Sequence, residues 1–404
     1  MESDSHLSTG PQGRNPDPVF GGPGRRPPVV LQVLPTLVTG GAERGCIDVA
    51  LALAEAGATP LVASQGGPMA HELDRAGIAH LVLPLASKNP LVIRRNARRL
   101  ERIIADFGVD IVHARSRAPA WSAWLACRRT GARFMTTFHA PYNFSNGLKR
   151  WYNSVMARGE RIIAISEFVR DHILASYAVD PAVIRVIHRG IDPAVFAPER
   201  VATARMVQLA TRWRLPEDRP VVLLPGRLTR WKGQTVLLDA LAALGRRDVH
   251  CLLVGADQGR IGYRRELEEQ ARRLGLDGQV HITDHCSDMA AAYRLATVVV
   301  SASREPEAFG RVIVEAQAMG KPVIVTAIGA YRETVLPGET ARVVPPDDAG
   351  ALAGALGEIL ALTDEQREAI GERARAFVAE RYTRQRMCAD TLAVYAELLD
   401  TARR

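Results

Sequence analysis

Short apolar runs rich in Val and Ile alternate along this chain with stretches whose apolar residues recur at helical spacing. Val29–Leu34 reads as a strand, and the helix after it begins near Glu43 and is stopped by Gly57. Further strands are expected at Leu61–Ala63, His80–Leu83, Ile111–His113, Phe134–Phe138 and Arg161–Ile165. A second series covers Val221–Leu224, His250–Val254, Val280–Thr283, Thr297–Ser301 and Pro322–Val325. Strands that alternate with helices in this way predict parallel sheets covered by helices on both faces.

Between the two series, Asp192 to Pro220 lacks strong periodicity and carries Asp192-Pro193 and Ala197-Pro198, so it reads as a hinge. From Asp347 onward the pattern is helical, with no further strands expected. The fold class is therefore α/β, with two doubly wound, Rossmann-like domains facing across a cleft and helices at the C-terminus. The expected division is a disordered lead over 1–27, a first domain over 28–195 and a second over 196–380. Residues 381–404 are expected to form a helix that packs back on the first domain. Ligands of open α/β sheets bind beyond the carboxyl ends of the strands. Two such domains would place a cleft between them.

Composition narrows this picture only modestly. A chain of 404 residues can hold two cores. The lead is rich in Gly, Pro, Ser and Arg and has no apolar segment of the kind a signal peptide needs. No stretch near twenty residues is free of charged and polar groups. Five scattered cysteines without a CxxC pair suggest a reduced, cytoplasmic protein and argue against a zinc site. The net charge of +8 suits a nucleic acid, an anionic membrane or an acidic substrate.

Four constellations carry candidate chemistry. Thr39-Gly40-Gly41-Ala42-Glu43-Arg44 follows the first strand and opens the first helix, and Gly40 and Gly41 would let backbone approach a phosphate. It is not GxGxxG, and no acid ends the second strand, which disfavours a dinucleotide oxidoreductase. Gly226-Arg227-Leu228-Thr229-Arg230-Trp231-Lys232-Gly233 follows the first strand of the second domain. Arg227 and Lys232 can offset the charge of a diphosphate, with Arg230 a further candidate. Glu307 and Glu315 flank Ala308-Phe309-Gly310-Arg311-Val312-Ile313-Val314, where a helix is expected over Arg311 to Met319. Phe309 and Gly310 would place that helix start beside an anion. A helix-borne carboxylate has two acceptor oxygens, enough for both ribose hydroxyls. His139 lies at the carboxyl tip of a first-domain strand, where side chains point into the cleft.

At these residues the chain resembles a retaining glycosyltransferase of family 4 with the GT-B fold. It has that family's Gly-Gly-Ala-Glu opening, Gly-Arg-Leu and Lys-Gly pair, and paired glutamates. Ile165-Ser166-Glu167 and Gly190-Ile191-Asp192 add to the match, which runs from about Val29 to the C-terminus. The resemblance implies that Arg227 and Lys232 bind the donor diphosphate, with the backbone at Gly41 close by. It implies that Glu307 holds the donor sugar, Glu315 the ribose, and that His139 lies beside the transferred sugar. It implies a nucleotide-diphosphate sugar, GDP- or UDP-linked, as donor, with no cofactor and no metal. Two departures stand out. Arg189 occupies a position where the family often has Asn, and Ile328-Gly329-Ala330-Tyr331-Arg332-Glu333 replaces a Gly-Gly near Pro-Glu. The stretches Val112–Ser122 and His139–Tyr142 are similar to lipopolysaccharide core mannosyltransferases.

A basic helix completes the inventory. Ile93, Ala97, Leu100, Ile104 and Phe107 recur at helical spacing and predict a buried face. Arg94, Arg95, Arg98, Arg99 and Arg102 line the other side, and Lys149, Arg150, Trp151 and Tyr152 mix cations with aromatics. This surface would suit a saccharide or lipid-linked acceptor at the inner leaflet of an anionic membrane. Three other readings of the chain are another GT-B enzyme such as an epimerase or phosphorylase, a non-catalytic sugar-nucleotide module, and a nucleic-acid binder. The last has no recognised motif to support it.

Overall fold

Apolar residues fill whole strands rather than alternate positions, as in Val29–Val33, where every residue is buried. Such strands need cover on both faces. In the computed structural model, described for residues 20, 26–38 and 40–401, they form two all-parallel sheets with helices on either side. The lead of residues 1–27 lies almost wholly outside the described residues, as does Thr39.

The first sheet contains β1 Val29–Val33, β2 Thr59–Ser64, β3 Ala79–Val82, β4 Ile111–Ala114, β5 Arg133–Phe138, β6 Arg161–Ala164 and β7 Ile184–Val186. Its order is β3-β2-β1-β4-β5-β6-β7. The second contains β8 Val221–Pro225, β9 His250–Val254, β10 Val280–Thr283, β11 Val298–Ser301, β12 Val323–Thr326 and β13 Ala341–Val344, in the order β10-β9-β8-β11-β12-β13. The order reverses between β1 and β4 and again between β8 and β11. A crevice opens at the carboxyl end of a parallel sheet at such a reversal.

Two strands were not expected from the pattern. β7 and β13 are edge strands with Arg185 and Arg342 inside them, and an edge strand is not covered closely enough to demand an apolar run. The expected hinge over Asp192 to Pro220 also needs correction. It contains the helix Thr203–Trp213, which buries Leu209 and Trp213 and packs on the helix Met289–Leu295. The chain joins the second-domain core at Val201, with Phe196 packed on both sides, after leaving the first at Ile191. It returns beside that point, with Ile191 N–H donating to Tyr382 O at 2.8 Å and Arg384 N–H donating to Ile191 O at 2.7 Å. A Cβ on Gly190 would meet Thr383 O at 2.4 Å, so the two crossings touch backbone to backbone.

The helix Arg384–Thr401 lies against the helix Gly41–Glu55 of the first domain. Leu392, Tyr395 and Leu398 join Val30, Val49 and Leu53 in one core cluster. Glu397 accepts from Arg161 Nε at 2.9 Å and Arg185 Nη2 at 2.8 Å. No helix among the described residues is long and apolar enough to cross a membrane.

Candidate active site

Loops at strand carboxyl ends meet in a cleft of about 390 Å³ between the domains, with Ile165 after β6 and Arg189 after β7 on its lining. The others follow β1, β5, β8 and β11. The loop after β8 is drawn against the loop after β11 by Gly233. Its φ is 72°, and a Cβ there would lie 1.8 Å from Ala302 O. That approach sets the Lys232 ammonium on Glu307 Oε1, which also accepts from Ser303 Oγ at 2.7 Å. Lys232 further stacks over the Trp231 ring, 4.4 Å from its centroid. On the other side of Glu307, Ala330 N–H donates to its carbonyl at 3.0 Å. Gly329 makes room, since a Cβ there would fall 2.4 Å from Glu307 O. Glu307 is thus fixed from three directions while it lines the cleft.

The two arginines of the β8 loop part ways. Arg227 is exposed on the cleft wall and pairs with no carboxylate among the described residues. Arg230 turns outward, pairs with Glu266 and lies 5.1 Å over the Tyr263 ring. The geometry therefore separates a cleft cation from a surface one.

Gly310, with φ of 76°, caps the helix Arg311–Ala318, and Gly310, Arg311 and Val312 face the cleft. The free N–H groups of a first helical turn suit an anion. Phe309 also borders the cleft. Its side chain is buried among His188 and Tyr382, with ring centroids 6.0 and 5.5 Å away, so its aromatic ring belongs to the core joining the domains. Glu315 sits deeper still. It is 7% exposed, accepts from Tyr293 OH at 2.9 Å and pairs with Arg311 Nε at 2.7 Å. Burial raises its carboxyl above the usual range, and Arg311 opposes that rise. Each oxygen has one partner, and Glu315 is not part of the cleft lining.

The first-domain wall carries Gly41, Ala42, His139 and Arg189, with Gly40 one residue back as the cap of the helix Gly41–Glu55. Arg189, where the family pattern often has Asn, lies at the centre of this wall. It is 9% exposed, and its Nη2 donates to Gly41 O and to His139 Nδ1, both at 2.9 Å. Burial, then Arg115 and Arg311, push its guanidinium down to about 9, so it keeps its charge at neutral pH. His139 is held well below the usual imidazole value by burial, then by Arg189, Arg115 and His113.

The cleft therefore sets four cations, Arg189, Arg227, Lys232 and Arg311, with a helix start and one fixed carboxylate around its space. Such a lining can hold an anion at one end and hydroxyl groups at the other. No cluster of three or more His, Cys, Asp or Glu that could hold a metal occurs among the described residues. All five cysteines are buried and free.

The arginines of the helix Pro90–Phe107 lie elsewhere. Arg94, Arg95, Arg98 and Arg102 are exposed, Arg99 is half-buried, and none lines the cleft. Phe107, expected on the buried face, is 45% exposed because the helix ends there at Gly108.

Residues 39–195 match the family model described as Glycosyltransferase Family 4, and residues 208–377 match that of Glycosyl transferases group 1. A D-inositol 3-phosphate glycosyltransferase from Xylanimonas cellulosilytica is 31% identical over 322 residues, which is 76% of this chain and 75% of the relative. A glycosyltransferase from Rickettsia africae aligns with a TM-score of 0.87 and 40% identity, over 93% of this chain and 99% of its own. Anabaena Alr3699/HepE, solved in complex with UDP and glucose, shares the fold with a TM-score of 0.79 at 24% identity, over 91% of this chain and 99% of its own.

Proposed function

The chain belongs to glycosyltransferase family 4, and from that premise we propose that it transfers a hexose from a GDP- or UDP-linked sugar to a saccharide or lipid-linked acceptor, with retention of anomeric configuration. The observation that carries this reading is the meeting of Arg227, Lys232 and the Gly310–Arg311 helix start with Glu307, opposite His139. Arg227, Lys232 and the helix start hold the donor diphosphate and stabilise it as it departs. Glu307, already fixed by Lys232 and Ser303, accepts hydrogen bonds from the donor sugar. In this reading the departing phosphate itself takes the acceptor's proton as the new glycosidic bond forms. Glu315 accepts the ribose hydroxyls with the lone pairs that Tyr293 and Arg311 leave open.

A thermal-shift screen with GDP-mannose, UDP-glucose, UDP-N-acetylglucosamine and ADP-glucose tests the donor. One of them should stabilise the wild type, and Lys232→Ala should abolish the shift. Absence of a shift with all four would reject these donors. An NMR assignment of the product's anomeric configuration tests retention.

A basic, partly apolar face supports surface attachment of the first domain to an anionic membrane. Leu91, Leu148 and Trp151 are 73%, 75% and 54% exposed. The helices that carry them are tied together through Ser122 Oγ to Ile93 O at 3.2 Å and through Trp121, which stacks on Trp151. The lipopolysaccharide-like stretches Val112–Ser122 and His139–Tyr142 fit an acceptor of surface polysaccharide synthesis.

A further inference from the structure

We propose that Arg189 is a positioning residue: it fixes His139 in the tautomer whose Nε2 carries the proton, so that the first-domain wall presents a hydrogen-bond donor to an oxygen of the substrate.

The argument begins with donor and acceptor capacity. A guanidinium has only N–H donors, so an Arg189 Nη2 that lies 2.9 Å from His139 Nδ1 requires that nitrogen to accept. A neutral imidazole then has its single proton on Nε2. That Nε2 is buried and has no hydrogen-bond partner among the described residues. A buried donor without a partner has given up its water without replacing it, which is destabilising. It is a natural place for a ligand atom to supply the missing acceptor, and His139 lines the cleft where a ligand enters.

The surroundings keep the ring in this state. Arg189, Arg115 and His113 approach it from the first domain, and Arg227, Lys232 and Arg311 line the same cleft. Glu307 is the carboxylate on that lining, and Lys232 already holds it. Glu43 and Asp48, on the helix Gly41–Glu55, act on Arg189. A second proton on His139 would face this cationic set. The ring therefore donates from Nε2 and does not serve as an acid near neutral pH. The group it takes is an oxygen that can accept without donating back, such as a sugar hydroxyl lone pair, a carboxylate or a phosphate.

The helix opposite is shaped for the same purpose. Gly45 is buried in the middle of a helical turn, and a Cβ there would sit 2.3 Å from Arg189 Nη1. Alanine would favour the helix, so helix propensity does not explain the glycine. Glycine at this position leaves the guanidinium room to reach His139. Only the identity of the substrate oxygen rests on the glycosyltransferase reading.

The test uses the full chain labelled with ¹⁵N-histidine, with His139→Gln to assign the signal. Long-range ¹H–¹⁵N spectra should show the Nε2–H tautomer in the wild type from pH 8 to 6. Arg189→Asn and, independently, Gly45→Ala should mix the tautomers and let the ring protonate within that range. Both variants should lower kcat about tenfold while nucleotide diphosphate affinity stays near wild type. A wild-type Nδ1–H tautomer overturns the proposal, as does an unchanged tautomer in both variants. A loss of UDP or GDP affinity in Arg189→Asn as large as in Lys232→Ala would assign Arg189 to the diphosphate instead and also overturn it. The expected tautomer without glycosyl transfer would leave this inference standing and remove the functional reading.

Discussion

Lys232 and Glu307 share one ion pair at the cleft wall, yet their removal should read out differently. Charge-assisted hydrogen bonds contribute about 1.5–3 kcal/mol. Lys232→Ala should therefore weaken UDP or GDP binding by roughly ten- to a hundredfold. Glu307→Gln keeps a side chain of the same shape and should lose turnover while calorimetry shows nucleotide affinity retained. Equal loss of nucleotide affinity in both variants would contradict the division of roles. Gly233 is a structural counterpart. Its positive φ and the closeness of Ala302 O leave no place for a methyl group. Gly233→Ala should lose more than about 1–3 kcal/mol of stability in a urea titration, because backbone strain and a steric clash add. Motif spacing was enough to find Arg227, Lys232, Glu307 and His139. It could not find the partner of Glu315, because Tyr293 lies on another helix and meets the carboxylate only after folding. Arg189 left a trace as a departure from the family pattern, but its bond to His139 joins positions fifty residues apart.

At the scale of elements, strands were readable where both faces are covered. β1, β8 and β9 are buried at every position, so their apolar runs stand out. β7 and β13 sit at sheet edges with an arginine inside, which removes the signal. The helix Thr203–Trp213 was hidden by the prolines just before it, although Leu209 and Trp213 are four apart and both buried. The helix Pro90–Phe107 bears a testable surface. Its five arginines, all between Arg94 and Arg102, should each add about 1 kcal/mol of attraction to an anionic bilayer when near it. Replacing all five with Gln should lower co-sedimentation with anionic liposomes at least tenfold and leave turnover on a soluble acceptor intact. Binding that is unchanged, or equal on zwitterionic liposomes, would reject the membrane reading.

Across the whole molecule, the C-terminal helix closes the core of the first domain through a buried polar chain. Tyr395 OH and His113 Nδ1 are 2.7 Å apart, and His113 Nε2 is 2.7 Å from Thr137 Oγ1. Burial, then Arg115 and Arg189, hold the His113 imidazole well below its usual value. A histidine depressed on folding stays neutral in the folded state and gains its proton first in the unfolded state. Its contribution is complete above the unfolded value near 6.5 and is lost as pH falls from there toward the folded value. The slope over that interval is at most about 1.4 kcal/mol per pH unit. Urea titrations at pH 7.5 and 5 should show this loss in the wild type, and a shallower one in His113→Gln.

Glu333 belongs to the second domain, yet its carboxylate accepts from Glu167 N–H at 2.6 Å and Phe168 N–H at 2.9 Å, and it pairs with His188 Nε2 at 2.9 Å. The helix Glu167–Ser176 of the first domain thus begins on a cap supplied from across the cleft. Nearby, Ser166 Oγ donates to Ala308 O at 2.6 Å, next to Glu307. Separating the domains must bare the first turn of that helix, so two backbone amides become a built-in gauge of how often the enzyme gapes. Hydrogen exchange at Glu167 and Phe168 should slow when donor nucleotide holds the domains together, and Glu333→Ala should disconnect the gauge from the ligand.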